Sequence, residues 1–251
     1  MTPGRRLLHA FLLAAALCLA GGQARAAELV ADLSNHLVAI TTGFAGTDVL
    51  LFGAVEQPGE VVVIVRGPNV PIRMHRKSRI AGIWMNTATM SFDSAPSFYA
   101  VNASAPLDKV ARPAVRERHA MGLENLDIPL PRAKASPNIA QEWRDALVRA
   151  KARKGHYARA VGSVTFLGAR LFRSNVFFPA NVPTGSYTVE VYLLREGQVV
   201  SAQTTPLIVS KVGVEAELFD FAYEYSATYG AVAILIALVA GWLAHTLFRK
   251  A

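Results

Sequence analysis

From Glu28 to about Ser104 apolar and polar residues alternate with a period of two, and β-branched residues and Gly/Pro punctuation accompany the alternation. The pattern predicts strands at Leu29–Leu33, His36–Thr42, Asp48–Val55, Glu60–Arg66, Ile72–Arg76, Ile80–Met85, Thr89–Phe92 and Phe98–Ala103. The period then changes. Ser104 is placed to cap a short helix opening at Pro106 that turns Leu107 and Val110 inward; Pro113 restarts it and Gly122 ends it. Ser136-Pro137 opens a longer helix, with the hydroxyl as cap and the proline in the first turn. In that helix Ile139, Trp143 and Leu147 share one face, Asp145 and Arg149 stand one turn apart, and Gly155 closes the end. From Val161 the period of two returns at Val164–Leu167, Leu171–Phe177, Tyr187–Arg195, Val199–Thr204 and Leu207–Lys211. The run from Pro183 to Val200 reads as a hairpin.

After Gly213 the spacing is helical again, with Val214, Leu218, Phe221 and Tyr225 on one face, and it leads into Tyr229–Phe248. That last run has no Asp, Glu, Lys or Arg. A helix of twenty residues spans roughly 30 Å, the hydrocarbon thickness of a bilayer. The fold class expected is therefore mainly β: an immunoglobulin-like β-sandwich with a helical insertion, followed by a long C-terminal stalk and transmembrane helix. The divisions are a signal peptide at 1–26, a sandwich at 27–212 with its insertion at about 106–160, a stalk at 213–228, a span at 229–248 and a tail at 249–251. Two small sandwiches joined by a helical linker are the alternative.

The N-terminus fits a secretory leader. Arg5 and Arg6 precede an apolar stretch from Leu7 to Ala20, and Ala24-Arg25-Ala26 supplies a small-x-small cleavage pattern. Cys18 is the one cysteine. Cleavage after Ala26 would leave a chain without thiols, which excludes disulfides, cysteine nucleophiles and thiolate metal sites. Arg249 and Lys250 follow the span while Glu215, Glu217, Asp220 and Glu224 precede it, so the positive-inside tendency puts the bulk in the periplasm and the C-terminus in the cytoplasm. The expected location is the inner membrane, crossed once.

Of the formal +8, the part from 27 to 226 carries about +3, divided as −1 over 27–105, +6 over 106–160 and −2 over 161–226. A basic module beside a membrane suggests anionic lipid headgroups or an acidic partner, and the compartment argues against nucleic acid.

Four blocks in order, LVADLSNHLVAITTGFAGTDVLLFGA, IVRGPNVPIRMHRKSRIAGIWMNT, SFYAVNASAPL and YGAVAILIALVAGWLAHTLFR, resemble a transmembrane protein family of the alphaproteobacteria. The resemblance covers essentially the whole chain after the leader. It implies an envelope protein with a cleaved signal and one C-terminal span, and it carries over no activity and no catalytic residue.

The densest basic cluster outside the insertion is Arg73 to Arg79, with Arg66 before it and Trp84 after. On a strand Arg73, His75, Lys77 and Arg79 face one way and Met74 and Arg76 the other. A one-sided row of cations, with Arg66 a further candidate member, suits an anionic ligand or a partner surface, and equally suits an edge strand charged against aggregation. No His pair has metal-ligand spacing, and no nucleophile elbow, phosphate loop or dinucleotide fingerprint occurs. No cofactor is expected, and carboxylates paired only in space remain open for a hydrolase. In the span Ala233, Ala237 and Gly241 recur every four residues, a stripe that permits close helix packing. The leading expectation is a membrane-anchored interaction module of an envelope complex beside an integral membrane protein such as a transporter, without catalysis. The alternatives are an anionic-ligand-binding protein and a hydrolase.

Overall fold

The computed structural model describes residues 28–129, 137–213 and 221–248. It is mainly β, as the alternation predicts. The strands are β1 (Leu29–Leu33), β2 (Leu37–Ile40), β3 (Gly46–Val55), β4 (Glu60–Arg66), β5 (Asn69–Ile80), β6 (Ile83–Pro96), β7 (Tyr99–Ala103), β8 (Gly162–Leu167), β9 (Leu171–Pro179), β10 (Gly185–Arg195) and β11 (Gln198–Lys211). The helices are α1 (Leu107–Val110), α2 (Pro113–Arg118), α3 (Pro137–Arg153) and α4 (Ser226–Phe248).

Nine strands form one sheet in the order β1-β3-β9-β8-β7-β4-β10-β11-β2. Only β7–β8 and β11–β2 are parallel. The sheet curls until its ends approach, and its two weak places are closed by amide side chains. At one, β7 and β8 share only the pairs Asn102↔Gly162 and Ala103↔Ser163. There the buried Asn102 amide donates to Ser174 Oγ at 2.6 Å and to the Asn175 carbonyl at 2.8 Å. At the other, Gln203 on β11 accepts from the Ala31 N–H of β1 at 2.8 Å and donates to the Ala31 carbonyl at 2.6 Å, standing in for a strand neighbour.

One core fills the inside of the curl, from Leu29, Leu51 and Phe178 on one half to Val63, Val191 and Leu207 on the other. A second core lies outside the β4–β7–β10 half, beneath α1, α2, α3 and the base of the β5–β6 hairpin. Strand β4 lies between the two. Val61, Val63 and Val65 point into the first core, and Val62 and Ile64 into the second, each 1% exposed or less. That double burial is why its sequence reads as an unbroken apolar run.

Several local expectations need correction. Residues expected as three strands between Ile72 and Phe92 form one long hairpin whose turn, Ala81-Gly82, lies inside the expected strand Ile80–Met85. Both turn residues have positive φ, 48° and 85°, as a two-residue hairpin loop requires. Val199–Thr204 and Leu207–Lys211 are one strand. Pro206 is tolerated because β2 joins β11 only from Ile208 onward.

Ser104 caps no helix. Its hydroxyl accepts the Val61 N–H at 3.0 Å and donates to the Glu60 carboxylate, tying β7 to β4. On α3 the buried face is Ala140, Trp143 and Leu147, while Ile139 is 46% exposed. Asp145 accepts from Gln141 at 2.9 Å. The Ser136 cap and the stalk positions Val214 and Leu218 lie outside the described residues.

Around Tyr225 the helical hydrogen bonding runs on, with Tyr225 N–H donating to Phe221 and Tyr229 N–H to Tyr225, both at 2.9 Å. Helix α4 contains an apolar stretch from Ser226 to Thr246 long enough to cross a membrane, and none of it is buried. Ala233, Ala237 and Gly241 are exposed along it.

Candidate functional site

The β5–β6 hairpin is held at its base and middle and free at its end. At the base Met90, Phe92 and Ala95 enter the second core, and Ser97 N–H donates to the Pro68 carbonyl at 2.8 Å. In the middle Arg76 pairs with Glu142 of α3 at 2.7 Å and its guanidinium lies 5.1 Å from the centre of the Trp143 ring. Arg76 and Met74 thus face the body, and Arg73, His75, Lys77 and Arg79 form a row on the opposite face, all exposed. The structure brings those four together on one strand. His75 Nδ1 meets Thr89 Oγ1 across the hairpin at 2.9 Å, and Arg79 donates to the Gly82 carbonyl at 3.1 Å.

Arg66 is not part of the row. It ends β4, where its guanidinium pairs with Glu190 of β10 and donates to the His119 carbonyl at 2.6 Å. Tyr192 donates to the same Glu190 at 3.1 Å, and its ring lies 4.9 Å from His119. A cavity of about 370 Å³ opens beside these groups. Burial, then the neighbouring Arg118 charge, holds His119 below the ordinary imidazole value; burial and the Glu190 carboxylate raise Tyr192. Nearby, Tyr99 donates to the Ala120 carbonyl, accepts from Gly122 N–H at 2.9 Å, and is raised chiefly by burial. Sequence reasoning missed this network because its members are distant in the chain.

A second surface was also unanticipated. The outer face of β1, β3, β9 and β8 carries Val30, Leu50, Phe52, Leu167, Leu171 and Phe177, each 37 to 58% exposed. The registers Val30↔Ala54, Ala54↔Leu171 and Leu171↔Leu167 align one row of them across four strands. Phe52, paired with Arg173, lies in the adjoining row. The signal is partial: the outward positions of these strands mix apolar residues with Asp32, Asp48, Arg173 and Asn175.

A cleft of about 1020 Å³ is lined by Glu60, Asp108, Arg112 and Arg195 among others. Its Glu60 carboxylate is engaged by Ser104, and Arg195 reaches Glu28 at 3.4 Å and the Pro58 carbonyl at 3.2 Å. Among the described residues no group of three or more His, Cys, Asp or Glu is placed to hold a metal ion.

The family model described as "Putative transmembrane protein (Alph_Pro_TM)" matches residues 28–250. No curated protein and no solved structure matches the chain.

Proposed function

Given a chain that belongs to the Alph_Pro_TM transmembrane protein family, with one candidate span near its C-terminus, we propose a membrane-anchored interaction module that packs against an integral membrane protein of the bacterial envelope. The observation that carries this reading is the apolar outer face of β1, β3, β9 and β8. The row Val30, Ala54, Leu171 and Leu167 crosses four strands, with Phe52 exposed beside it between Asp32 and Arg173, and an exposed apolar patch with a polar rim marks an interaction surface. We read the β body as periplasmic, delivered by a cleaved leader, with α4 crossing the inner membrane. The charges flanking α4 support that direction.

We also read the body as an immunoglobulin-like sandwich. Two features support this: the first edge is divided between the two halves, β1 on β3 and β2 on β11, and Tyr187 near the start of β10 donates back to the Pro183 carbonyl. No reaction is assigned to the chain.

A photo-crosslinking residue placed at Phe52 in intact cells should capture one membrane protein in near-stoichiometric yield. Phe177→Asp should abolish that capture while leaving the protein in the membrane. A Phe52 probe that captures nothing, while one on the hairpin does, would sink the sheet-face reading. A tag after Ala251 that is accessible from the periplasm would overturn the orientation.

The exposed cation row, on a hairpin from 69 to 96 whose one acid, Asp93, lies at the base, favours a second reading as an anion-binding surface. Heat stabilisation of the full chain by sulfate or phosphate, lost in the Arg73→Ala, Lys77→Ala variant, would support it.

A further inference from the structure

We infer that the tip of the β5–β6 hairpin inserts into the interfacial layer of an anionic bilayer, with Ile80, Ile83, Trp84 and Met85 entering the headgroup–acyl boundary, Arg79 and Lys77 holding lipid phosphates, and His75 and Arg73 facing the anionic surface behind them. The inference rests on the anion-binding reading of the row and names its ligand as the membrane surface.

The tip is built unlike the rest of the hairpin. Past the Arg76–Glu142 pair every residue from Arg79 to Thr89 is exposed. Four large apolar side chains stand within three residues of the turn: Ile80, Ile83, Trp84 and Met85 are 51 to 67% exposed. The pairs Ile80↔Ile83 and Ser78↔Met85 put three of them on one face, and Arg79↔Trp84 puts the indole beside a guanidinium on the other. A water-facing hairpin end ordinarily carries polar turn residues, and this one carries Ala81-Gly82 between two isoleucines.

The dimensions fit an interface. At about 3.3 Å per residue the three pairs nearest the turn occupy about 10 Å, comparable to the roughly 5–10 Å depth at which interfacial elements bury their apolar side. Arg79 and Lys77 then fall at headgroup depth, with stems that keep the charge at the polar layer while the methylenes lie deeper. Trp84 beside Arg79 is placed as an interfacial anchor. Each added cation near an anionic leaflet is worth about fivefold in binding. The hairpin from 69 to 96 holds Arg73, Arg76, Lys77 and Arg79 against one acid, Asp93, which lies at the base away from the tip, so its outer part carries nothing that repels such a surface. The chain also carries its own candidate span, which keeps a bilayer at high local concentration.

The test uses the full chain with Cys18→Ser and Ile83→Cys, labelled with an environment-sensitive fluorophore and reconstituted into vesicles. One set is phosphatidylcholine alone and the other contains a third phosphatidylglycerol. In the anionic vesicles the emission should shift to the blue and be quenched several-fold by lipids bearing a nitroxide high on the acyl chain. A label at Gln198→Cys, exposed on β11, should stay aqueous in both. Combining Arg73→Ser, Lys77→Ser and Arg79→Ser should return the Ile83 label to its behaviour in neutral vesicles, with an unchanged thermal transition as the folding control.

A label that stays in water in both compositions overturns the inference. If sulfate still heat-stabilises the chain in that case, the row binds small anions and only the membrane assignment has failed. Equal burial in neutral vesicles also overturns it, because the cations would then have no part. Shielding seen only in native membranes and never in protein-free vesicles overturns it in favour of a protein partner.

Discussion

The two halves of the curled sheet are built from similar strands and buried to different extents. Around β4, β7 and β10 both faces are covered, one by the shared core and the other by α1, α2, α3 and the hairpin base. Around β1, β3, β9 and β8 only the inner face is covered, and the outer one shows Phe52 and Phe177 to solvent. Both halves nevertheless have apolar outer positions. Among the described residues nothing covers the outer face of the β1–β3–β9–β8 half, and the proposed interaction module rests on that contrast.

The sharpest way to break the comparison is to truncate one residue of each half. Ile64→Ala opens a cavity between two packed layers and should destabilise the body by about 2–5 kcal/mol. Phe52→Ala should lie within about 0.5 kcal/mol of the parent, because its side chain has little packing to lose. Chemical denaturation of the detergent-solubilised chain measures both, and equal losses would mean that the outer face of β3 is covered after all.

The two closures of the curl come next. Asn102→Ala removes a buried amide shared by Ser174 and the Asn175 carbonyl, and should cost about 1–3 kcal/mol. Gln203→Ala leaves the partly buried Ala31 N–H and carbonyl for water to satisfy and should cost about 1 kcal/mol. A larger loss at Gln203 would mean that the open ends of the sheet, rather than its middle, hold the halves together.

A smaller effect is set by pH. Burial lowers the imidazole values of His119 and His156, so below the ordinary 6.5 the unfolded chain binds protons that the native chain refuses. Stability should be flat above that value, decline as pH falls from about 6.5 through the lowered native values, and level off below them. His119→Gln should flatten part of the decline in a thermal-shift series. An increase in stability on acidification would contradict the direction of the shifts.

The smallest expected change is at the hairpin turn. Ala81 holds φ 48°, which asparagine adopts more readily, so Ala81→Asn should stabilise by about 0.5 kcal/mol without altering the fold.

How much was legible in the sequence follows from what kind of signal each element sends. β4 announces itself because burial on both faces turns alternation into an unbroken Val/Ile run. The cation row was readable because a period of two survives in any strand, and Arg73, His75, Lys77 and Arg79 obey it. The turn behind their apolar tip was not. Alanine is a poor marker for a left-handed turn position, so Ala81-Gly82 passed for the middle of a strand. Proline misled in the opposite direction at Pro206, where the missing donor costs little beside an unfilled neighbour position. Arg66 stood apart from the row for a reason no spacing reveals: its partner Glu190 is 124 residues away. Ile139 and Ala140 exchanged roles because only the packed surface decides which side of α3 is inward.

The clasp of Arg76 onto Glu142 and Trp143 makes the hairpin a cantilever, clamped at mid-length with its outer segment overhanging. A clamped beam meets its target already aimed, so little conformational freedom is left to surrender on contact. Loosening the clamp by Glu142→Ala should therefore weaken whatever the overhang grips without removing a single group from its end.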